Sequence, residues 1–180
     1  MKLKCQLLFS FIMFLIATSC VQLKPIPLKG EYVDKPFEIY SDKSYDVVWD
    51  NIIDLFATRG ISIKLIDRSS GLIISEKTSF LNEYSFENRD GKLENQESWI
   101  VVEKIAFEGY HQSVKPDKIT GEWNIRIKEI NDAETLINVN LTNIEATSFY
   151  SGGQVSKPRN LTFKAKSTGK FEELIASMIK

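Results

Sequence analysis

The sequence predicts an α+β fold in which an antiparallel sheet of about five to six strands carries two amphipathic helices on one face. Apolar residues recur with helical spacing in residues 44–60 and again in residues 167–180. Between these segments, apolar and polar residues alternate in short runs that are separated by turn residues. The expected order of elements is therefore β-α-ββ-βββ-α, with the helices covering the apolar face of the sheet.

The first helix is predicted over residues 44–60. Asp42 or Ser44 is expected to cap its N-terminus, and Gly60 can take the left-handed conformation that ends a helix. Seven apolar side chains share one broad arc of the helical wheel: Tyr45, Val48, Trp49, Ile52, Ile53, Leu55 and Phe56. The opposite side carries three aspartates spaced four apart, Asp46, Asp50 and Asp54, which we interpret as a solvated helix face rather than a cation or partner site.

The strands are predicted from two-residue alternation. Residues 61–66 and 72–75 form a hairpin around the turn 67–71, and residues 98–107 form a further strand. Residues 122–130 and 135–146 follow, joined by Asn131-Asp132. In the first of these, Trp123, Ile125 and Ile127 alternate with polar residues, and in the second, Ile137, Val139 and Leu141 do so. Such strands are typical of a sheet with one covered face and one wet face.

The second helix is predicted over residues 167–180. Ser167 or Thr168 is the expected N-cap, and Glu172 and Glu173 are expected to complement the helix dipole outside the apolar arc. That arc contains Phe171, Leu174, Ile175, Met178 and Ile179.

Three long polar connections are predicted at residues 78–97, 108–120 and 148–160, and loops of this length are often functional. The third places Phe149 and Tyr150 beside Gly152-Gly153, so these aromatic side chains are candidate contacts with a partner or ligand. The alternative is that their rings fold back onto the sheet. Trp49 is a third candidate contact, with core packing as its alternative.

The N-terminus reads as a bacterial lipoprotein signal. Lys2 and Lys4 precede an apolar run over residues 7–17, which is about half the length needed to span a bilayer. Small residues then lead into Cys20, the expected site of lipidation. The alternative is an ordinary secretory signal. We therefore expect a signal peptide over residues 1–19, a lipidated cysteine and extended tether over 20–30, and a single domain over 31–180.

Composition excludes several function classes. Of 180 residues, 43% are hydrophobic and 26% are charged, as in ordinary globular proteins. Removing Lys2 and Lys4 from the 23 basic residues leaves 21 against 24 acidic ones, a net charge of −3 after cleavage. This balance argues against nucleic-acid binding. Attachment to the membrane is therefore expected to depend on the lipid anchor, and a lone Cys20 allows no disulfide.

No catalytic motif is evident in the sequence. His111 is the only histidine, so a histidine-cluster metal site is excluded, and no cofactor is expected. Residues 167–170 match the SxxK motif of serine penicillin-binding enzymes, but the partner motifs are missing and a capped helix start explains the same residues. We predict that the protein is not an enzyme.

Residues 44–75 carry a resemblance to a known family. Val48-Trp49 in the helix, Gly60-Ile-Ser-Ile63 after it and Asp67-Arg-Ser-Ser-Gly-Leu-Ile-Ile74 in the hairpin resemble the repeated domain of BamC-type outer-membrane lipoproteins. The resemblance implies a helix-grip-like arrangement, with residues 167–180 as the second helix. It implies a BamC-like lipoprotein of the cell envelope with room for one such domain.

Together these features predict a non-catalytic envelope lipoprotein that acts as a protein-binding adaptor or accessory subunit. Its partners are expected to be the membrane, through the lipid anchor, and another envelope protein, with no nucleic acid. The outer membrane is the favoured location, on its periplasmic or outer face. The alternative is a carrier or sensor that binds a small apolar ligand between helix and sheet, where Tyr45, Trp49 and Phe56 would line the cavity.

Overall fold

The computed structural model describes residues 22–107, 112–151 and 158–179. These ranges contain two helices, α1 (Tyr45–Arg59) and α2 (Lys170–Ile179). They also contain thirteen strands: β1 (Leu23–Ile26), β2 (Phe37–Ser41), β3 (Ile63–Asp67), β4 (Leu72–Ser75), β5 (Thr78–Ser79), β6 (Tyr84–Ser85), β7 (Ile100–Val102), β8 (Lys104–Phe107), β9 (Ser113–Val114), β10 (Lys118–Asn131), β11 (Glu134–Tyr150), β12 (Arg159–Phe163) and β13 (Ala165–Ser167).

The strands form three sheets. The main sheet has seven strands in the order β12-β11-β10-β4-β3, with β2 paired to β11 and β5 paired to β10. Two three-stranded sheets have the orders β1-β8-β9 and β13-β7-β6. Pairing is antiparallel throughout the described strands except between β6 and β7. The predicted α+β class is therefore confirmed, whereas the predicted count of five to six strands is too low.

A buried glutamate accounts for part of the difference in strand number. Residues 98–107 were expected to form one strand, but the chain is divided at Glu103 into β7 and β8, which belong to different sheets. The Glu103 amide donates to the Lys164 carbonyl over 2.9 Å, and the Glu103 carboxylate accepts from the Lys164 amide over 2.8 Å. The alternation of apolar and polar residues does not predict that consecutive strands of the chain belong to different sheets.

The long hairpin of β10 and β11 is the backbone of the main sheet. The predicted alternation is confirmed, since Trp123, Ile125 and Ile127 are all buried. A bulge places two residues, Asn143 and Ile144, opposite one residue of β10. Asn143 has a φ of 52°, which asparagine tolerates better than most residues. The inserted residue shifts the alternation of the strand by one position. Buried residues therefore have odd numbers before the bulge and even numbers after it.

The loop predicted over residues 148–160 is too long, because strands occupy both of its ends. Strand β11 continues to Tyr150, and β12 begins at Arg159. Ala146 and Ser148 are buried on the core side, whereas Phe149 points to the other side. The predicted strand ended at residue 146, so only the last four residues of β11 were missed.

Helix α1 ends as predicted but begins without a side-chain cap. Gly60 has a φ of 65°, and its amide donates to the Ala57 carbonyl. Ser44 is the N-cap residue, but its side chain makes no capping hydrogen bond. The apolar arc is confirmed, because Val48, Trp49, Ile52, Leu55 and Phe56 are buried.

Both helices meet the main sheet at one cluster of aromatic rings. Phe171 of α2 stacks on Trp123 of β10, with ring centroids 3.9 Å apart. Its ring also lies 5.0 Å from Trp99 and 6.4 Å from Phe56 of α1. Both helices therefore lie on the sheet face to which Trp123 points.

Glu172 departs from its expected place outside the apolar arc. Its side chain is fully buried, and both carboxyl oxygens lie within 2.9 Å of the Ser167 hydroxyl. The same hydroxyl accepts a hydrogen bond from the Gly169 amide. Burial raises the pKa of Glu172, and the Ser167 hydrogen bond opposes this only in part.

The raised pKa makes stability depend on pH. The folded chain retains the Glu172 proton above the ordinary value of 4.5, where the unfolded chain releases it. The contribution of the Glu172 proton to the free energy of unfolding is complete at low pH. It falls as the pH rises from 4.5 through the raised pKa of the folded chain. We therefore predict that Glu172→Gln, which stays neutral, is more stable than the unmodified chain near neutral pH and lacks this decline.

Urea unfolding between about pH 4 and pH 8 measures the effect. Glu173→Gln is the matched control, because Glu173 is exposed and forms an ion pair with Lys170. Equal pH slopes for Glu172→Gln and the unmodified chain would contradict the prediction.

Candidate functional site

The candidate site is the part of the fold that receives the N-terminal segment. Strand β1 pairs with β8 so that Leu23 lies opposite Phe107 and Ile26 lies opposite Lys104. Residues 20–30 were expected to form an extended tether, and Pro25 and Pro27 favour an extended chain there. The described part of this segment is extended, but residues 23–26 are paired with β8. Leu23 packs partly against the core, and Pro25 is tolerated because β1 is an edge strand.

A single carboxylate holds the chain immediately after β1. Glu87 Oε2 accepts from the Lys29 amide over 2.8 Å, and Oε1 accepts from the Gly30 amide over 2.8 Å and from the Tyr32 hydroxyl over 2.6 Å. Glu87 is only 7% exposed. We call this arrangement of Lys29, Gly30, Tyr32 and Glu87 the Glu87 clamp.

The clamp shifts the pKa of both its ionisable side chains. Burial alone would raise the pKa of Glu87, but hydrogen bonds from Tyr32, Lys29 and Gly30 outweigh it and hold the pKa below the usual range. Burial, followed by the neighbouring carboxylate, raises the pKa of the Tyr32 phenol. Glu87 is thus an ionised acceptor at neutral pH, and its contribution is lost as the pH falls through its lowered pKa.

A groove of about 410 Å³ lies between the clamped segment and β8. Its walls include Ile26, Leu28, Val102 and Ala106, with basic side chains around them. Two of those cations have partners within the chain. Lys29 Nζ donates to the Arg89 carbonyl over 2.7 Å, and Lys104 Nζ contacts Glu94 over 2.6 Å. The groove therefore combines apolar walls with basic side chains, two of which are already partnered.

The predicted contact residues Phe149 and Tyr150 lie near the same end of the fold. The Tyr150 ring lies 5.7 Å from the ring of Phe107, the residue opposite Leu23. Phe149 is 60% exposed, and its amide donates to Asp117 Oδ2 over 2.8 Å. Tyr150 therefore packs onto the fold, which is the alternative given for it in the sequence. Phe149 remains exposed and can contact a partner or ligand.

Trp49 lies in the core, far from any open surface. It is 4% exposed and stacks on Tyr45 with ring centroids 5.9 Å apart. Arg68 lies 5.6 Å from the centre of the Trp49 ring and forms ion pairs with Asp46 and Asp50. The row of aspartates on α1 is therefore a solvated face, to which Arg68 contributes ion pairs. Trp49 is part of the core and is not a contact residue for a partner or ligand.

Several residues of interest lie outside the described ranges. These are Cys20, His111 and Gly152-Gly153. Across the part of the chain that is described, no cluster of three or more histidine, cysteine, aspartate or glutamate side chains has the arrangement of a metal site. The helices in that part are too short or too polar to cross a membrane.

Sequence reasoning did not identify Glu87 or Tyr32 as important residues. Glu87 lies in a region expected to be a polar loop, where one glutamate among several carries no distinguishing signal. Its role arises from contacts 55 to 58 residues away along the chain. Local patterns do not contain such information.

Neither the known protein-family models nor the curated proteins give a match to this chain.

The Glu87 clamp predicts how the N-terminal segment responds to mutation. Glu87→Ala removes the charged acceptor of the Lys29 and Gly30 amides, and a hydrogen bond to a charged group contributes about 1.5–3 kcal/mol. Because 1.4 kcal/mol corresponds to a factor of ten, we expect the hydrogen exchange of these two amides to accelerate by about tenfold or more. Hydrogen–deuterium exchange with mass spectrometry measures this.

Glu94→Ala is the control for charge removal near the groove. Glu94 is half-exposed and pairs with Lys104, and such surface pairs contribute about 0–1 kcal/mol. Unchanged exchange at Lys29 and Gly30 in the Glu87 variant would show that the clamp does not hold the segment.

Proposed function

We propose that this chain is a non-catalytic lipoprotein of the bacterial cell envelope that binds a protein partner. Lipid at Cys20 would anchor it to a membrane, with the outer membrane favoured. The observation that carries the proposal is the attachment of the N-terminal segment to the fold. The chain joins β1 at Leu23, three positions after the predicted lipidation site, and the Glu87 clamp holds it at Lys29 and Gly30.

This arrangement suits an anchored adaptor, because it fixes the domain relative to its anchor. A free spacer would let the domain turn in any direction, whereas a paired strand limits that freedom. The resemblance to BamC-type lipoproteins supports the same function, and the α+β class is compatible with a helix-grip-like arrangement.

The outer face of the main sheet is the surface that we assign to the protein partner. Pairing aligns Leu65, Ile74, Asn124 and Asn140 across four adjacent strands. The next rows add Arg126 and Asn138, and Leu136 with Tyr40. Tyr40 is 59% exposed and Leu65 is 42% exposed. We call these eight residues the outer-face patch.

The patch has the mixed chemistry of a non-obligate protein interface. Apolar side chains lie toward its two edges, and amide side chains lie at its centre. Interfaces of this kind combine apolar contacts with hydrogen bonds. Arg126 lies within the patch, and Lys128 and Glu38 lie in the same rows, so a partner would also meet charged side chains. A carrier function has less support, because Trp49 and Phe56, the expected cavity lining, are packed in the core.

Anchoring is tested by exchanging each cysteine separately. Cys20→Ser is expected to abolish incorporation of a labelled fatty acid and to release the protein from the membrane fraction, because no other lipidation site is proposed. Cys5→Ser is the matched control, since Cys5 lies in the segment that would be removed. Membrane-bound, fatty-acid-labelled Cys20→Ser protein would contradict the anchor.

Partner binding is tested by photo-crosslinking in cells. A benzophenone side chain at position 40 or 65 is expected to capture the same envelope protein, because both positions lie on the outer-face patch. Position 47 is the control, since Val47 is 46% exposed but lies on α1. Equal capture from all three positions, or none from 40 and 65, would argue against the assigned surface.

A further inference from the structure

We infer that the domain rests against the bilayer with the end of β11 facing the lipid, so that Phe149 contacts the membrane interface. This inference rests on the proposed anchor at Cys20 and adds to it the orientation of the domain and a second membrane contact. The occupant assigned to the exposed Phe149 ring is thus a lipid surface.

Chain length places the anchor near this end of the fold. Three peptide units separate Cys20 from Leu23, and an extended chain covers at most about 3.6 Å per residue. The first paired residue is therefore within about 11 Å of the lipidated one. Anchored membrane lipid cannot lie far from the N-terminal end of β1.

A short series of contacts links that end of β1 to Phe149. Leu23 pairs with Phe107 at the end of β8, and the Phe107 ring contacts the Tyr150 ring. Phe149 is the next residue along β11 and projects from the opposite face of the strand. The exposed ring thus lies at the end of the fold from which the anchor leaves.

Two constraints keep this end turned toward the membrane. Strand β1 is paired with β8 over four residues, and the Glu87 clamp fixes the chain beyond it. Only residues 21 and 22 remain between the anchor and the paired strand. Because so little chain separates the anchor from β1, the domain cannot rotate so that Phe149 faces bulk water far from the membrane.

The local surroundings of Phe149 suit an interfacial contact. The residue is held on a strand, because it pairs with Asn160 of β12 and its amide donates to Asp117. Aromatic side chains are favoured at the boundary between head groups and acyl chains. Arg159 of β12, which lies opposite the neighbouring residue Tyr150, is exposed and can approach anionic head groups, whereas Lys118 of β10 is paired with Glu145.

The test uses a single nitroxide label on the full, lipidated chain. Cys20 is acylated in the proposed mature protein and Cys5 is removed, so Phe149→Cys introduces the one reactive thiol. The protein is reconstituted into vesicles of phosphatidylethanolamine and phosphatidylglycerol. Electron paramagnetic resonance then compares access of the label to oxygen, which concentrates in lipid, with access to a water-soluble nickel complex.

Val47→Cys is the matched control, because it is exposed on α1 away from this end. We expect the oxygen-to-nickel ratio at position 149 to exceed that at position 47 by several-fold. If Phe149→Cys does not fold, the comparison uses Phe149→Trp and Val47→Trp in vesicles with bromine-labelled lipids. We then expect the bromine to quench the fluorescence of Phe149→Trp more strongly than that of Val47→Trp.

The outcomes separate the orientation from the anchor. If the protein floats with the vesicles and both positions give equal ratios, the anchor stands and the membrane contact is wrong. If position 149 is immobilised but inaccessible to both reagents, a protein covers Phe149 and the inference is also wrong. If the protein does not float, the anchor itself fails and the orientation fails with it.

Discussion

The stacking of Phe171 on Trp123 joins the C-terminal helix to the centre of the main sheet. Phe171 begins the C-terminal helix, and Trp123 lies in the middle of β10. Phe56 of α1 and Trp99 before β7 complete the cluster. Without these rings, neither helix would have a fixed place on the sheet. With the helices so placed, one sheet face is covered and the outer-face patch is left to solvent.

The N-terminal segment depends on this frame but is held by different chemistry. Its pairing in β1 uses backbone hydrogen bonds, and the Glu87 clamp uses an ionised acceptor with three donors. Hydrogen bonds to a charged acceptor are stronger than neutral ones, so a short contact can resist the pull of an anchored chain. In the proposed lipoprotein, this contact makes the lipid anchor a determinant of orientation as well as of location.

Sequence periodicity predicted those parts of the fold in which local pattern and tertiary packing agree. Helix α1, the β3–β4 hairpin and the alternation around Trp123 are examples. The failures share a cause, which is that the three-dimensional surroundings of one residue override the local pattern. The bulge at Asn143 reverses which side chains of β11 face the core, and Glu103 separates a predicted strand into β7 and β8. Glu172 is buried and hydrogen-bonded to Ser167.

The candidate site was less predictable than the fold for the same reason. Phe149 was identified because an exposed aromatic residue is conspicuous in a sequence, although the element that holds it was mistaken for a loop. Glu87 was not identified, because its partners precede it by more than 50 residues. The prolines indicated an extended segment after Cys20, but they do not show whether such a segment is free or paired.

In the proposed lipoprotein, the paired N-terminal segment holds the domain directly at the membrane. Neutron reflectometry of the lipidated full chain on a supported bilayer measures the gap between the head groups and the start of the protein. We expect protein density to begin within about 11 Å of the head groups, which is the reach of three extended residues. A water-filled gap of about 30 Å, as expected for ten residues of free extended spacer at about 3.1 Å each, would contradict it.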